Sequence, residues 1–198
     1  MRLIEAKKEY YRTLAKKDGY RSRSAYKLAQ LDNSYHIFKS KSTVVDIGSS
    51  PGGWLQVAKQ KVGENAMVIG IDLKHIYPLQ GVITLQGSIT DSEVIDEVLK
   101  LVGGKVDIVL SDLSPNMSGI WDLDHARQIS LTRAALSASV RLLKRDGISV
   151  FKVFEGELLE RLKKEMRCHF QRVYSSKPKA SRQRSSEQYL VCLDFTLT

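Results

Sequence analysis

The chain has 198 residues, 42% hydrophobic and 27% charged, with two cysteines and a formal net charge of +9. This length carries one sizeable core and hardly two, and the two thiols, Cys168 and Cys192, exclude a disulfide-built scaffold. No apolar run approaches the roughly 18 residues of a membrane span, and the N-terminus, rich in Lys and Glu, lacks the apolar stretch of a secretory signal. A soluble cytoplasmic protein is expected, and a monomer, since no apolar self-association face stands out.

The positive charge is unevenly placed. Lys7, Lys8, Arg12, Lys16, Lys17, Arg21 and Arg23 cluster near the N-terminus, and Lys177, Lys179, Arg182 and Arg184 form a second group. Such clusters suit a polyanion, and the interleaved Tyr10, Tyr11 and Tyr20 suit RNA, whose bases stack on aromatic rings beside phosphate contacts. The same tyrosines fit equally well on the inward face of an amphipathic helix.

In chain order, Ala25, Leu28 and Ala29 at helical spacing predict a helix over 22–31 that carries Lys27 near the body of the protein. Residues 1–40 read as a basic helical extension facing RNA, joined through 39–42 to a sheet domain, 41–198. There, strands are predicted at 43–47, 67–71, 82–85, 106–110 and 147–151, and the fifth runs into Lys152. Helices are predicted at 54–61, from a capping box at Thr90–Glu93 to 102, at 123–143 and at 157–166. Two last strands, 170–175 and 188–197, have no helix between them and are expected to pair antiparallel at one edge. Alternating strands and helices of these lengths call for an α/β fold, a mostly parallel sheet covered on both faces.

The turn after the first strand reads Gly48-Ser-Ser-Pro-Gly-Gly53, flanked by Asp46 and Trp54, and the second strand ends on Asp72. A strand, a glycine turn, a helix and a later acid form the general nucleotide-binding unit of doubly wound sheets. A dinucleotide needs free backbone N–H groups on its pyrophosphate, but here the Gly-x-Gly-x-x-Gly spacing is absent and Pro51 removes a donor. Asp46 beside the turn repels phosphate and attracts a cation. S-adenosylmethionine, with a sulfonium and an ammonium and no phosphate, suits this pattern better than NAD, and Asp72 is placed to accept both ribose hydroxyls. His36, His75, His125 and His169 are isolated, so no metal site is expected.

Five stretches then carry a specific resemblance: 18–28 (Asp-Gly-Tyr-Arg-Ser-Arg-Ser-Ala-Tyr-Lys-Leu), 45–54, 111–119 (Ser-Asp-Leu-Ser-Pro-Asn-Met-Ser-Gly), 151–154 (Phe-Lys-Val-Phe) and 184–189 (Arg-Ser-Ser-Glu-Gln-Tyr). In this order, and over nearly the whole chain, they resemble the FtsJ family of ribose 2′-O-methyltransferases. The resemblance implies a Rossmann-like, seven-stranded S-adenosylmethionine-dependent methyltransferase sheet with the last strand antiparallel. It implies cofactor contacts at Gly52, Gly53, Trp54, Asp72 and Asp112, with Asp46 and Gly48 shaping the turn. The family's acid for the adenine amino group is replaced here by Ser88, which still accepts a hydrogen bond, and Ile89 is placed to pack on the adenine.

The resemblance also singles out Lys27, Asp112, Lys152 and Glu187 as the catalytic set, with Lys152 as the base that takes the proton of a ribose hydroxyl. A free lysine, with a pKa of about 10.4, is mostly protonated at neutral pH. Burial and Lys27 disfavour the charge on Lys152, whereas Asp112 and Glu187 favour it. Lys27 is expected to orient the hydroxyl or stabilise the alkoxide, Asp112 to bridge cofactor and Lys152, and Glu187 to hold Lys152. The substrate implied is a ribose, expected in a uridine, of large-subunit ribosomal RNA or the assembled subunit. Transfer RNA is the nearest alternative, and a non-catalytic RNA-binding module or an NAD-dependent oxidoreductase are the readings from other classes.

Overall fold

The computed structural model describes residues 3–182 and 185–197, with the backbone alone for 3–9. Arg184 of the second basic cluster, with the neighbouring Gln183, and the side chains of Lys7 and Lys8 of the first, lie outside the described residues. The elements are α1 (Leu3–Lys17), α2 (Ala25–Tyr35), β1 (Val44–Ile47), α3 (Gly53–Val62), β2 (Val68–Asp72), β3 (Ile83–Gln86) and α4 (Ser92–Val102). There follow β4 (Val106–Ser111), α5 (Trp121–Leu142), β5 (Leu143–Phe154), α6 (Leu159–Arg167), β6 (Phe170–Ser176) and β7 (Glu187–Phe195).

Among the described residues the strands form one seven-stranded sheet in the order β3-β2-β1-β4-β5-β7-β6. Neighbours from β3 to β5 run parallel, while β7 pairs antiparallel with both β5 and β6. The α/β architecture and the antiparallel edge therefore follow the sequence expectation. The strand order reverses at β1/β4, and in open α/β sheets ligands bind beside the carboxyl ends of the strands at such a point.

Strand alternation divides the core into two layers. Val45, Ile47, Val109, Phe151, Val153 and Cys192 pack with residues of α4, α5 and α6 on one face. On the other, Val44, Ile108, Leu110, Val150, Tyr189 and Val191 pack with Ala25, Leu28 and Leu31 of α2 and with α3. Successive side chains of a strand point to opposite faces. Asp46 and Lys152 thus share a face with Val44 and Val150, Glu187 shares one with Tyr189, and all four project toward the α2 layer.

Three differences from expectation bear on the site. The helix that carries Lys27 begins at Ala25 rather than Ser22, because Ser22–Ser24 form a turn closed by bonds such as Lys27 N–H to Ser24 O at 2.9 Å. The Thr90–Glu93 capping box does not form: Asp91 is the cap residue of α4, and the Thr90 hydroxyl is held by Ser88 at 2.7 Å. Lys152 lies inside its strand rather than past its end, since pairing with β7 extends β5 to Phe154. No helix among the described residues is long and apolar enough to cross a membrane.

Candidate active site

The carboxyl ends of β1, β2 and β4 open into a cleft of about 560 Å³. Gly48, Asp72, Ser88, Ile89 and Asp112 line it. Gly48 has φ 74°, and a Cβ there would stand 2.5 Å from Leu113 Cδ2, so both the turn and the close approach require glycine. Asp72 accepts from Ser50 N–H at 2.9 Å and Lys74 N–H at 2.8 Å, which leaves one lone pair on each oxygen facing the cleft residues. Ser88 Oγ accepts from Thr90 N–H at 3.2 Å and shares a hydrogen bond with the Thr90 hydroxyl.

Asp46 is completely buried, and neither carboxyl oxygen has a hydrogen-bond partner among the described residues. Burial first, then the charges of Asp112 and Asp72, raise its pKa well above the usual carboxylate range. A cation in the cleft would relieve all three acids together. The acidic cleft, the close backbone approach at Gly48 and the half-used acceptors of Asp72 thus fit a cationic nucleoside such as S-adenosylmethionine.

The remaining turn residues face elsewhere. A Cβ on Gly52 would meet Arg21 Nη1 at 3.0 Å, and one on Gly53 would meet Ser22 Oγ at 2.2 Å. Arg21 donates to the Pro51 carbonyl at 3.2 Å, tying the N-terminal segment to the turn, and to the carbonyls of Tyr77 and Pro78 in the β2–β3 connection at 2.6 Å each. Trp54 is buried, donates to Ser24 O at 2.9 Å and packs on Tyr189. Gly52, Gly53 and Trp54 therefore hold the N-terminal segment against the turn and do not line the cleft.

Beside the cleft the four set residues come together as two ion pairs. Lys27 Nζ meets Glu187 Oε1 at 2.5 Å, and Lys152 Nζ lies 3.3 Å from Asp112 Oδ1 while donating to the Asp112 carbonyl at 2.8 Å. Both lysines are buried. Glu187 thus pairs with Lys27, not with Lys152 as expected, because α2 carries Lys27 across the face toward which Glu187 projects. Burial works to raise the Glu187 pKa, but the charge and hydrogen bond of Lys27, the charge of Lys152 and the Ser181 hydroxyl at 3.0 Å outweigh it and hold the carboxyl low.

Tyr189 is the residue that the sequence reading left out of the site. Its hydroxyl donates to Asp112 Oδ1 at 2.9 Å, and Lys27 Nζ lies 5.8 Å from its ring centre. Burial, followed by the charges of Asp112 and Glu187, raises the phenol well above its ordinary pKa, so it stays a donor. Its position two residues after Glu187, on the same face of the strand, was the available signal. Nearby, Arg23 stands within electrostatic reach of Arg182, Glu187 and Tyr189: burial and Arg182 lower its pKa, against Glu187 and Tyr189.

The model of FtsJ-like methyltransferases matches residues 20–195. The chain belongs to that family. Among curated FtsJ-like relatives, ribosomal RNA large subunit methyltransferase E of Methanothrix thermoacetophila is 46% identical over 93% of this chain and 71% of its own length. The protein of the same name from Cenarchaeum symbiosum is 44% identical over 98% of this chain and 99% of its own. A solved Plasmodium falciparum protein assigned as a ribosomal RNA methyltransferase superposes with a TM-score of 0.80 at 33% identity, covering 89% of this chain and 98% of its own. MycE methyltransferase of the mycinamycin pathway, solved with Mg and SAH, shares the fold alone, at TM-score 0.55 and 18% identity over 86% of this chain and 47% of its own. This FtsJ-like chain is accordingly a methyltransferase, and its cleft stands at the switch point of a methyltransferase sheet.

Proposed function

We propose that this protein transfers a methyl group from S-adenosylmethionine to a ribose 2′-hydroxyl of large-subunit ribosomal RNA. The observation that carries the reading is the meeting of the Lys27–Glu187 and Lys152–Asp112 pairs at the rim of an acidic cleft. The shared name of its relatives directs the choice of RNA, and Arg23, Arg182 and the basic α1 support a phosphate-bearing substrate.

When bound, S-adenosylmethionine supplies a methyl carbon activated by its positive sulfur. Asp72 would accept the ribose hydroxyls, Ser88 would accept from the adenine amino group with Ile89 beside it, Asp112 would contribute negative charge, and Asp46 would do so as the bound cation draws off its proton. Lys152 takes the proton of the target hydroxyl, leaving that oxygen with the electron pair it needs to accept the methyl group. Asp112 orients Lys152 through its carbonyl and carboxylate, and Tyr189 orients Asp112. Lys27, held by Glu187, stabilises negative charge on the attacking oxygen. Residues 1–40 supply the cations that face RNA, together with Lys27, and residues 41–198 supply the rest of the methyltransferase machinery.

Labelled methyl transfer to deproteinised large-subunit RNA, assembled large subunits and transfer RNA, followed by alkaline digestion, tests the reading. Label in an alkali-resistant dinucleotide from large-subunit RNA is expected, and the same digest identifies the nucleotide. Label on a base, or transfer to transfer RNA alone, overturns the reaction or the substrate respectively. Lys152→Ala should abolish transfer and leave S-adenosylmethionine affinity within about threefold, since a loss below 0.7 kcal/mol is expected where no cofactor contact is removed.

A further inference from the structure

We infer that Trp121 is a stacking platform for an unpaired RNA base next to the methylated nucleotide, an inference that rests on the RNA substrate proposed above. A second cleft, of about 590 Å³, shares Glu187 with the reactive set, and Trp121 lines it as well. Trp121 is 44% exposed, whereas the rings that support it, His125 and Phe154, are buried. The ring centres stand 6.0 Å apart in each pair, with interplanar angles of 18° and 27°.

The support is rigid. His125 Nε2 accepts from Leu158 N–H at 3.2 Å, and a Cβ on Gly156 would stand 2.6 Å from the imidazole, so the backbone is packed directly on that ring. Asp124 receives Ser118 N–H and Oγ at 2.8 Å and Gly119 N–H at 3.1 Å, which fixes the chain just before Trp121. A large aromatic ring is thus held stiffly in a half-open position at the start of α5.

The other walls suit a nucleotide. Ser175, Ser176, Ser185 and Ser186 line the cleft with hydroxyls suited to sugar and phosphate oxygens, Glu155 and Glu187 add acceptors suited to base and ribose donors, and the Lys177 ammonium is held by the Ser185 carbonyl at 2.6 Å. Glu187 belongs both to this cleft and to the reactive set, so a base on Trp121 would adjoin the ribose held at Lys27 and Lys152. A base stacked on an aromatic ring anchors single-stranded RNA whatever its identity, and Trp121 would thereby hold the strand in register while the neighbouring ribose reacts.

Affinity is measured for an octauridylate and for an octamer of the same backbone without bases, using wild type, Trp121→Phe and Trp121→Ala. Wild type should bind the octauridylate about tenfold more tightly than the abasic strand, Trp121→Phe should keep most of that ratio, and Trp121→Ala should bring it close to one. The difference fluorescence of wild type and Trp121→Phe, which isolates Trp121 from the buried Trp54, should be quenched by the octauridylate and not by the abasic strand. S-adenosylmethionine affinity should be equal in all three proteins, which checks that the alanine variant is folded. A base-to-abasic ratio that survives in Trp121→Ala, with no quenching, overturns the inference and leaves the exposed Trp121, Ile120 and Met117 as a protein-facing surface. Methyl transfer by wild type to large-subunit RNA is read alongside: its absence refutes the proposed substrate, whereas the octamer ratios decide the stacking by themselves.

Discussion

Lys152 and Tyr189 stand directly opposite each other in the antiparallel β5–β7 ladder, and both reach Asp112, the first residue after β4. Lys152 Nζ donates to its carbonyl at 2.8 Å and the Tyr189 hydroxyl to its carboxylate at 2.9 Å. Three adjacent strands are thereby tied together at the point where the chemistry is proposed. Opposed residues in a ladder project from the same face, so this convergence follows from register.

Tyr189→Phe removes that hydroxyl and keeps the ring against Trp54. A hydrogen bond to a partly exposed charged group contributes about 1–2 kcal/mol, so denaturant unfolding should show a loss of that size. Single-turnover methyl transfer should slow at least about tenfold, because Asp112 loses the group that orients it. A variant that turns over like wild type removes Tyr189 from the active site.

Ser88→Asp tests the adenine contact. Ser88 accepts from Thr90 N–H, so it has a lone pair left for an amino group only if its own proton goes to the Thr90 hydroxyl. A carboxylate has no such restriction, and its charge strengthens the hydrogen bond. Calorimetry should show S-adenosylmethionine binding tightened by about 3- to 10-fold, in proportion to roughly 1 kcal/mol. Unchanged or weaker binding places the adenine elsewhere in the cleft.

Asp46→Asn separates stability from cofactor binding. Burial, then Asp112 and Asp72, raise the Asp46 pKa in the folded protein. Below about pH 4 the carboxyl carries its proton in both states, and it costs nothing. As pH rises above that value the unfolded chain ionises first, and stability falls until pH passes the raised folded pKa. The ligand-free Asn variant should therefore melt like wild type near pH 4 and higher at pH 7, by roughly 2–4 °C for each kcal/mol relieved. Its affinity for S-adenosylmethionine should fall, since the carboxyl that a bound cation would ionise beside the cleft is lost. A melting difference that does not grow with pH rules out the buried carboxyl as a stability cost.

Arg12, Lys16 and Lys17 are exposed on α1. If they meet phosphates, each contact adds roughly −0.7 to −0.9 to the log–log slope of affinity against salt. The triple alanine variant should bind large-subunit RNA more weakly, with a flatter salt dependence and unchanged S-adenosylmethionine affinity. Identical binding at every salt concentration makes that face of α1 a solvated surface. The tyrosines form one series: Tyr10, Tyr11, Tyr26 and Tyr20 contact one another through successive ring pairs, and Tyr10 at its end is 60% exposed.

The order of strands and helices, the antiparallel edge and the acidic character of the cleft were legible in the residues themselves. Hydrophobic period, turn glycines and strand-end acids are local signals, and the five motifs singled out Lys27, Asp112, Lys152 and Glu187. Local signals do not say which partner a charge meets. Glu187 pairs with Lys27 across a separation of 160 residues because α2 packs over β5 and β7, and Gly52, Gly53 and Trp54 hold the N-terminal segment because Arg21 and Ser22 reach the turn. The capping box failed by one residue because Thr90 is held by Ser88, a competing local bond of equal reach. Strand alternation had already put Lys152, Tyr189 and Glu187 on one side of their strands. The covering of that side by α2, and the pairing of acids and bases that results, depends on contacts distant in sequence, so only the tertiary structure decided it.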